Sequence, residues 1–300
     1  MKRTAAILLS AIIAAAYFGA SARAAEIKVV KNIVFSNAGG VEIKGDIYIP
    51  EGKGPFPGMI YIHGGGFVAG SKDFKPQTQI PTFLAENGFI SFSVNYRLLQ
   101  EGGVFPNCTY DVKCALCWFK KNGAQYGLDP KRVGVLGESA GAYLAAMLGV
   151  TAGMPQFAGQ CPAAEGCDDS VTAVVAVYPP TDFATLKTKL TQMIKNEMIR
   201  YGKIKDKEVM KKYMVEQSPV TYAKNAAPTL LIHGAKDLLV NVEQSREFYD
   251  VLKAAGREVE YLELPNAPHS FFSEDYDSGD GATARARALA FLNKWLKSEK

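Results

Sequence analysis

Gly137-Glu138-Ser139-Ala140-Gly141 sets a serine between two glycines, directly after the apolar run Val133 to Leu136 and before a stretch of small residues. Glycines on both sides permit a turn too sharp for residues that carry a β-carbon, so a strand-turn-helix passage here presents the hydroxyl at the end of a sheet. The same serine read by itself is a helix N-cap. Partners separate the two readings. A serine hydroxyl is a weak nucleophile near neutral pH and needs a base within hydrogen-bond reach, held in one tautomer by a carboxylate.

The chain has 3 histidines. His63 and His233 each end an apolar run, where a satisfied imidazole holds a loop. His269 lies in Pro265-Asn-Ala-Pro-His-Ser-Phe, downstream of the last apolar run, where loop freedom suits a base. The carboxylate is expected between nucleophile and base in chain order. Asp237, in His233-Gly-Ala-Lys-Asp-Leu-Leu-Val, follows a strand-like run and precedes a helical one. Asp182, in Pro179-Pro-Thr-Asp-Phe, is the rival, better suited to capping the helical stretch that follows it. His63-Gly64-Gly65-Gly66-Phe67 supplies a fourth part: glycines let backbone N–H groups turn toward a developing oxyanion, and Gly65, Gly66 and the amide of Ala140 are the expected donors. A phosphate cradle is the competing use of such a run, but neither Gly-x-x-x-x-Gly-Lys nor Gly-x-Gly-x-x-Gly is present there.

Elements that would position these residues are legible along the chain. Alternating apolar positions over Ile27, Val29, Ile43, Ile47 and Ile49, around Asn37-Ala38-Gly39-Gly40, predict an antiparallel hairpin. Short apolar runs follow at 58–63, 89–96, 132–136, 171–177, 229–233 and 258–264, and the middle ones suit strands buried on both faces of a parallel sheet. Helical periodicity falls at 78–87, 109–126, 140–150, 242–255 and 284–296, with Gly88, Gly127 and Gly256 placed as left-handed C-caps. The alternation predicts an α/β fold, a mostly parallel sheet with helices on both faces. Residues 182–222 carry no strand-like run and form a helical insertion, whose methionines and aromatics either pack on the body or line a substrate pocket.

At 48% hydrophobic and 21% charged residues the composition is that of a folded globular chain, and a net charge of +4 leaves no nucleic-acid footprint. Lys2 and Arg3, the apolar run Ala5 to Phe18 and Ser21-Ala22-Arg23-Ala24 have the order of a secretory signal peptide over residues 1–24. Export to the periplasm or medium follows, with no stable membrane anchor after cleavage; an uncleaved anchor is the alternative. Five cysteines in an exported chain allow disulfides and leave at least one thiol over. Cys161 and Cys167 flank a short Pro- and Gly-containing loop and are the expected pair. Cys114 and Cys117 read as core cysteines, or as one bonded to Cys108.

Taken in order, HGGGF, GESAG, HGAKDLLV and PHSF resemble the α/β-hydrolase fold, and within it the carboxylesterases related to hormone-sensitive lipase and to bacterial acetyl and feruloyl esterases. That resemblance implies a serine esterase that needs no cofactor or metal and acts on small-molecule or carbohydrate-linked acyl esters. It implies Ser139, Asp237 and His269 as the triad, Gly65, Gly66 and Ala140 as the oxyanion hole, and 182–222 as a small lid. A serine peptidase of the same fold and a non-catalytic binding module on a hydrolase scaffold are the alternatives.

Overall fold

The computed structural model describes residues 27–276 and 279–298; the expected signal peptide lies outside them. Among the described residues the chain runs through β1 (Lys28–Ala38), β2 (Val41–Ile49), β3 (Phe56–Ile62), α1 (Lys75–Glu86), β4 (Ile90–Val94), α2 (Asn107–Asn122), β5 (Leu128–Glu138) and α3 (Ala140–Val150). It continues through β6 (Val174–Val177), α4 (Lys189–Gly202), α5 (Lys207–Glu216), β7 (Thr229–Gly234), α6 (Glu243–Ala254), β8 (Val259–Leu264) and α7 (Gly279–Leu296). The strands form one sheet in the order β1-β2-β4-β3-β5-β6-β7-β8. β1 and β2 are an antiparallel hairpin, β2 pairs antiparallel with β4, and every later pairing is parallel.

Period-two alternation divides the core. Ile60 and Ile62 of β3, Val135 of β5, Val174 and Ala176 of β6 and Leu231 of β7 pack on one face with α2, α3 and α6. Met59, Tyr61, Leu136, Val175, Val177, Leu230 and Ile232 pack on the other, against α1 and α7. Both faces of these strands are buried, which is why they read as nearly continuous apolar runs. Gly88, Gly127 and Gly256 all have positive φ, at 76°, 91° and 70°, and close the segments they follow. β3 is flanked by β4 on one side and β5 on the other, so the winding reverses between β3 and β5. A crevice opens there, beyond the carboxyl ends of the strands.

The 182–222 segment folds as α4 and α5 followed by a 3-10 stretch, Pro219–Asn225. Met198 and Met214 are buried in the main core, and the Tyr213 hydroxyl donates to the Phe105 carbonyl at 2.5 Å. These side chains pack on the body. Asp182 does not cap α4: its carboxylate accepts from the Ala184 N–H at 2.8 Å in a turn, and Thr188 stands at the N-cap of that helix.

The cysteine expectation is corrected. Cys114 bonds to Cys161 and Cys117 to Cys167, with Cα separations of 6.0 and 5.8 Å, while Cys108 stays a buried free thiol. Cys114 and Cys117 lie a turn apart on α2 and face the loop together. A 3-10 turn, Pro162–Ala164, separates Cys161 from Cys167 and gives each a different partner on the helix. Lys113 to Asp169, at 2.6 Å, and Lys120 to Asp168, at 3.0 Å, fasten the same loop to α2.

Candidate active site

β5 ends at Glu138 and α3 begins at Ala140, so Ser139 alone makes the turn. Its backbone has φ 54° and ψ −117°, a conformation that a non-glycine residue holds only when its surroundings over-determine it. Those surroundings are backbone. A β-carbon on Gly137 would stand 2.2 Å from the Gly141 carbonyl oxygen, and one on Gly141 would stand 2.1 Å from that of Ile62. The two glycines of the motif are thus fixed by close approach of the chain to itself. The Ser139 N–H is spent on the Val177 carbonyl at 2.9 Å, and the Ala140 N–H belongs to the first turn of α3, where no intrahelical acceptor exists.

Ser139 Oγ lies 3.0 Å from His269 Nε2, and His269 Nδ1 lies 2.6 Å from Asp237 Oδ2. Residues separated by 130 and 32 positions in sequence are thereby joined in one hydrogen-bonded line. The tautomer that satisfies it carries a proton on Nδ1, donated to the carboxylate, and accepts from the serine hydroxyl at Nε2. The Asp237 side chain is fully buried, while that of His269 keeps 12% exposure, enough to be reached from outside. The other carboxylate oxygen, Oδ1, accepts from the N–H groups of Leu239 and Val240, both at 2.9 Å. Burial pushes the Asp237 carboxyl up, but hydrogen bonds from His233 and His269, the charge of His269 and the Val240 N–H outweigh it and hold the group well below the ordinary carboxylate range.

The glycine run after β3 forms the facing wall. Gly65 has φ 124°, and a β-carbon there would lie 1.9 Å from the Ala69 carbonyl oxygen. Its own carbonyl accepts from Val68 and Ala69. Among the described residues no acceptor takes the N–H of Gly65 or Gly66. Both glycines, Ser139 and His269 line one cleft of about 380 Å³. Phe74 and Leu239 contribute apolar surface to it, and Gln77, Ser270, Ser273 and Glu274 contribute polar surface. None of residues 182–222 among the described ones lines this cleft.

His63 and His233 are both structural. His63 donates from Nδ1 to the Gly64 carbonyl at 2.7 Å and stacks on Tyr96 with centroids 4.6 Å apart. Burial drives its pKa down to about 4. His233 is placed closer to the chemistry than its sequence context suggested: Nε2 lies 2.9 Å from the Val240 carbonyl and 3.3 Å from Asp237 Oδ2, and Nδ1 meets Ser245 Oγ at 2.7 Å.

Two further residues were not singled out from sequence. Glu138 is buried, with Oε1 accepting from Tyr61 at 2.7 Å and Oε2 accepting from Tyr178 at 2.5 Å and Ser273 at 2.8 Å. The Tyr178 ring packs on the His269 imidazole with centroids 4.5 Å apart. The only sequence signal was the position of Glu138 inside the motif.

Comparison with known proteins gives the lineage. The BD-FAE family model matches residues 45–252, more than two thirds of the chain. The chain belongs to the BD-FAE family. The matched stretch contains Gly65, Gly66, Ser139, Ala140 and Asp237; His269 lies beyond it. Among curated proteins, Esterase LipC of Mycobacterium tuberculosis (strain ATCC 25618 / H37Rv) is 35% identical over 250 residues, 81% of this BD-FAE chain and 60% of that protein. Esterase LipQ of the same organism is 32% identical over 245 residues, 78% of this chain and 53% of that protein. The chain thus spans about half to three fifths of the curated relatives it matches. A solved structure described as a truncated form of carbohydrate esterase from gut microbiota superposes with a TM-score of 0.77 at 24% identity, covering 90% of this chain and 97% of that one. With the observed sheet order, this is the α/β-hydrolase fold of the BD-FAE chain.

Proposed function

We propose that this chain is a serine carboxylesterase. The continuous line Ser139 Oγ to His269 Nε2 at 3.0 Å and His269 Nδ1 to Asp237 at 2.6 Å, opening into a cleft beside Gly65 and Gly66, carries the reading. Two relatives above 30% identity bear the name esterase, which agrees with it.

In the proposed cycle Ser139 Oγ attacks the ester carbonyl while His269 Nε2 takes its proton. The negative oxygen of the tetrahedral intermediate is met by the N–H groups of Gly65, Gly66 and Ala140. Collapse breaks the carbon–oxygen bond, His269 returns the proton to the departing alcohol, and a water activated by the same imidazole releases the acid from the acyl-enzyme. Asp237 keeps Nδ1 protonated and stabilises the imidazolium.

A cleft of about 380 Å³ suits esters of small to medium size. Phe74 and Leu239 fit an apolar or aromatic acyl group, and the Gln77, Ser270 and Glu274 side fits a hydroxyl-rich alcohol, so acetyl or hydroxycinnamoyl esters of carbohydrates are the proposed class. Turnover of p-nitrophenyl acetate, butyrate and octanoate by wild type, lost by at least about a thousandfold in Ser139→Ala, supports the reading. Full activity in Ser139→Ala overturns it. We also propose that residues 1–24 direct export, since two disulfides suit an oxidising compartment. N-terminal sequencing of protein from the periplasm or medium should start near Ala25, and a full-length chain in the membrane fraction contradicts this.

A further inference from the structure

Glu138 precedes the nucleophile and lines the cleft, yet it takes no part in the Ser139, His269, Asp237 line. Among the described residues no lysine or arginine pairs with it. Its partners are three hydroxyl donors, from Tyr61, Tyr178 and Ser273, brought from 77, 40 and 135 positions away in sequence. Placing a carboxyl group without a cation in a fully buried position costs free energy unless hydrogen bonds compensate.

Tyr178 is equally unusual. It directly follows β6, with φ 47°, a region where a bulky residue is an outlier. Its N–H donates to the Ile232 carbonyl at 2.7 Å, and the preceding carbonyl, that of Val177, receives the Ser139 N–H. The ring is held on one side by Phe271, at 5.3 Å between centroids, and lies against the His269 imidazole at 4.5 Å with a 50° tilt. Its hydroxyl reaches Glu138. A phenol pinned at its tip and clamped at its backbone is a fixed wall for the imidazole.

The geometry points to Glu138 and Tyr178 as a positioning pair for the esterase reaction: the carboxylate fixes the phenol, and the phenol ring fixes the plane of His269 between Asp237 and Ser139. This rests on the serine-esterase reading. His269 is otherwise met by Asp237 at Nδ1, which His233 backs, and by Ser139 at Nε2; Glu274 lines the same cleft. Glu138 adds a second carboxylate near the imidazole, on the Tyr178 side. Burial raises the Glu138 carboxyl, and the hydroxyls of Tyr178, Tyr61 and Ser273 pull it back toward ionisation. Losing the Tyr178 hydroxyl loosens the ring and moves Glu138 toward neutrality together.

Wild type, Tyr178→Phe, Glu138→Gln and the double variant are compared on one p-nitrophenyl ester, each rate divided by the fraction of enzyme titrated by a fluorophosphonate. Each single change is expected to lower kcat about tenfold with KM within about twofold, the pattern of a group that acts after binding. Glu138→Gln should also move the acid limb of kcat/KM to lower pH, since it removes an ionisable carboxyl near the base, and Tyr178→Phe should move it in the same direction by less, since it only shifts that carboxyl toward neutrality. The double variant should fall no further than the weaker single, as for members of one unit. A purely structural role would leave the acid limb in place once the titrated fraction is accounted for. Tyr178→Phe keeps the ring and decides the matter if Glu138→Gln does not fold. Unchanged kcat and acid limb in Tyr178→Phe overturn the positioning pair, as do multiplicative losses in the double variant. A wild type that neither hydrolyses the ester nor takes the label instead defeats the serine-esterase reading on which the pair depends.

Discussion

Asp237 Oδ2, the oxygen that faces His269 Nδ1 at 2.6 Å, also stands 3.3 Å from Nε2 of His233. His233 is itself held by Ser245 and by the Val240 carbonyl, so one imidazole braces the loop that carries the acid toward the other. Replacing His233 by Asn should release that loop. The expected result is a roughly tenfold fall in kcat and about 2 kcal/mol less stability, the cost of leaving buried polar groups unpaired. Steady-state kinetics and urea denaturation check this, and wild-type values in both contradict it.

Gly65 and Gly153 both have positive φ but differ in surroundings. A β-carbon at Gly65 meets the Ala69 carbonyl at 1.9 Å, whereas one at Gly153 meets nothing within 4 Å. Gly65→Ala must therefore displace the loop that carries the proposed oxyanion donors, and kcat should fall on the order of a hundredfold. Gly153→Ala bears only the conformational strain, about 1 kcal/mol, with activity retained. Equal activities for the two variants, measured with a short ester, would remove the loop from the chemistry.

Burial lowers the His63 pKa to about 4, against a partial lift from its bond to Gly64. An unfolded chain protonates the same imidazole near about 6.5. Stability from keeping His63 neutral is therefore full above that pH and declines as pH falls toward 4, because the unfolded state takes up a proton that the native state refuses. The loss amounts to about 3 kcal/mol. Asp237 adds a second decline, in the same direction, below the ordinary carboxylate range, since its folded pKa is depressed. His63→Phe keeps an aromatic ring against Tyr96 and should flatten the slope of stability between pH 7 and 4.5. Parallel slopes for variant and wild type, from urea midpoints, contradict the assignment.

The disulfides close overlapping loops of 47 and 50 residues. Once one bond is present, the other closes only the short ring through 114–117 and 161–167. Opening either should cost about 3 kcal/mol and opening both about 7 kcal/mol on chain-entropy grounds. Thermal unfolding of Cys117→Ser/Cys167→Ser, of Cys114→Ser/Cys161→Ser and of the quadruple variant tests this. A quadruple loss equal to a double one would show that the loop is held by Lys113 and Lys120 instead.

Much of the fold was legible because its central strands are buried on both faces and read as short apolar runs. β5 began earlier than its apolar run indicated, at Leu128, because its first half carries Asp129, Pro130, Lys131 and Arg132 and pairs only with β3, across a register shift. β6 is shorter than the run 171–177, starting at Val174. Spacing cannot reveal which cysteine meets which across a loop of that length, and the short-loop expectation for Cys161 and Cys167 failed for that reason. Glu138 was equally hidden. Its three donors come from three distant segments, and no local pattern distinguishes a buried carboxylate from a solvated one. Motif order did bring Ser139, Asp237 and His269 into consideration, since each follows a strand-like run that ends at the same edge of the sheet.

The central claim is that Ser139 is a nucleophile activated by His269. Its most direct test is covalent: the protein is treated with a fluorophosphonate, digested, and the modified peptide located by mass spectrometry. One adduct per chain, on Ser139, formed far more slowly in His269→Ala, is the predicted result. An unlabelled protein, or an adduct on a different residue at the wild-type rate in Ser139→Ala, would contradict the account.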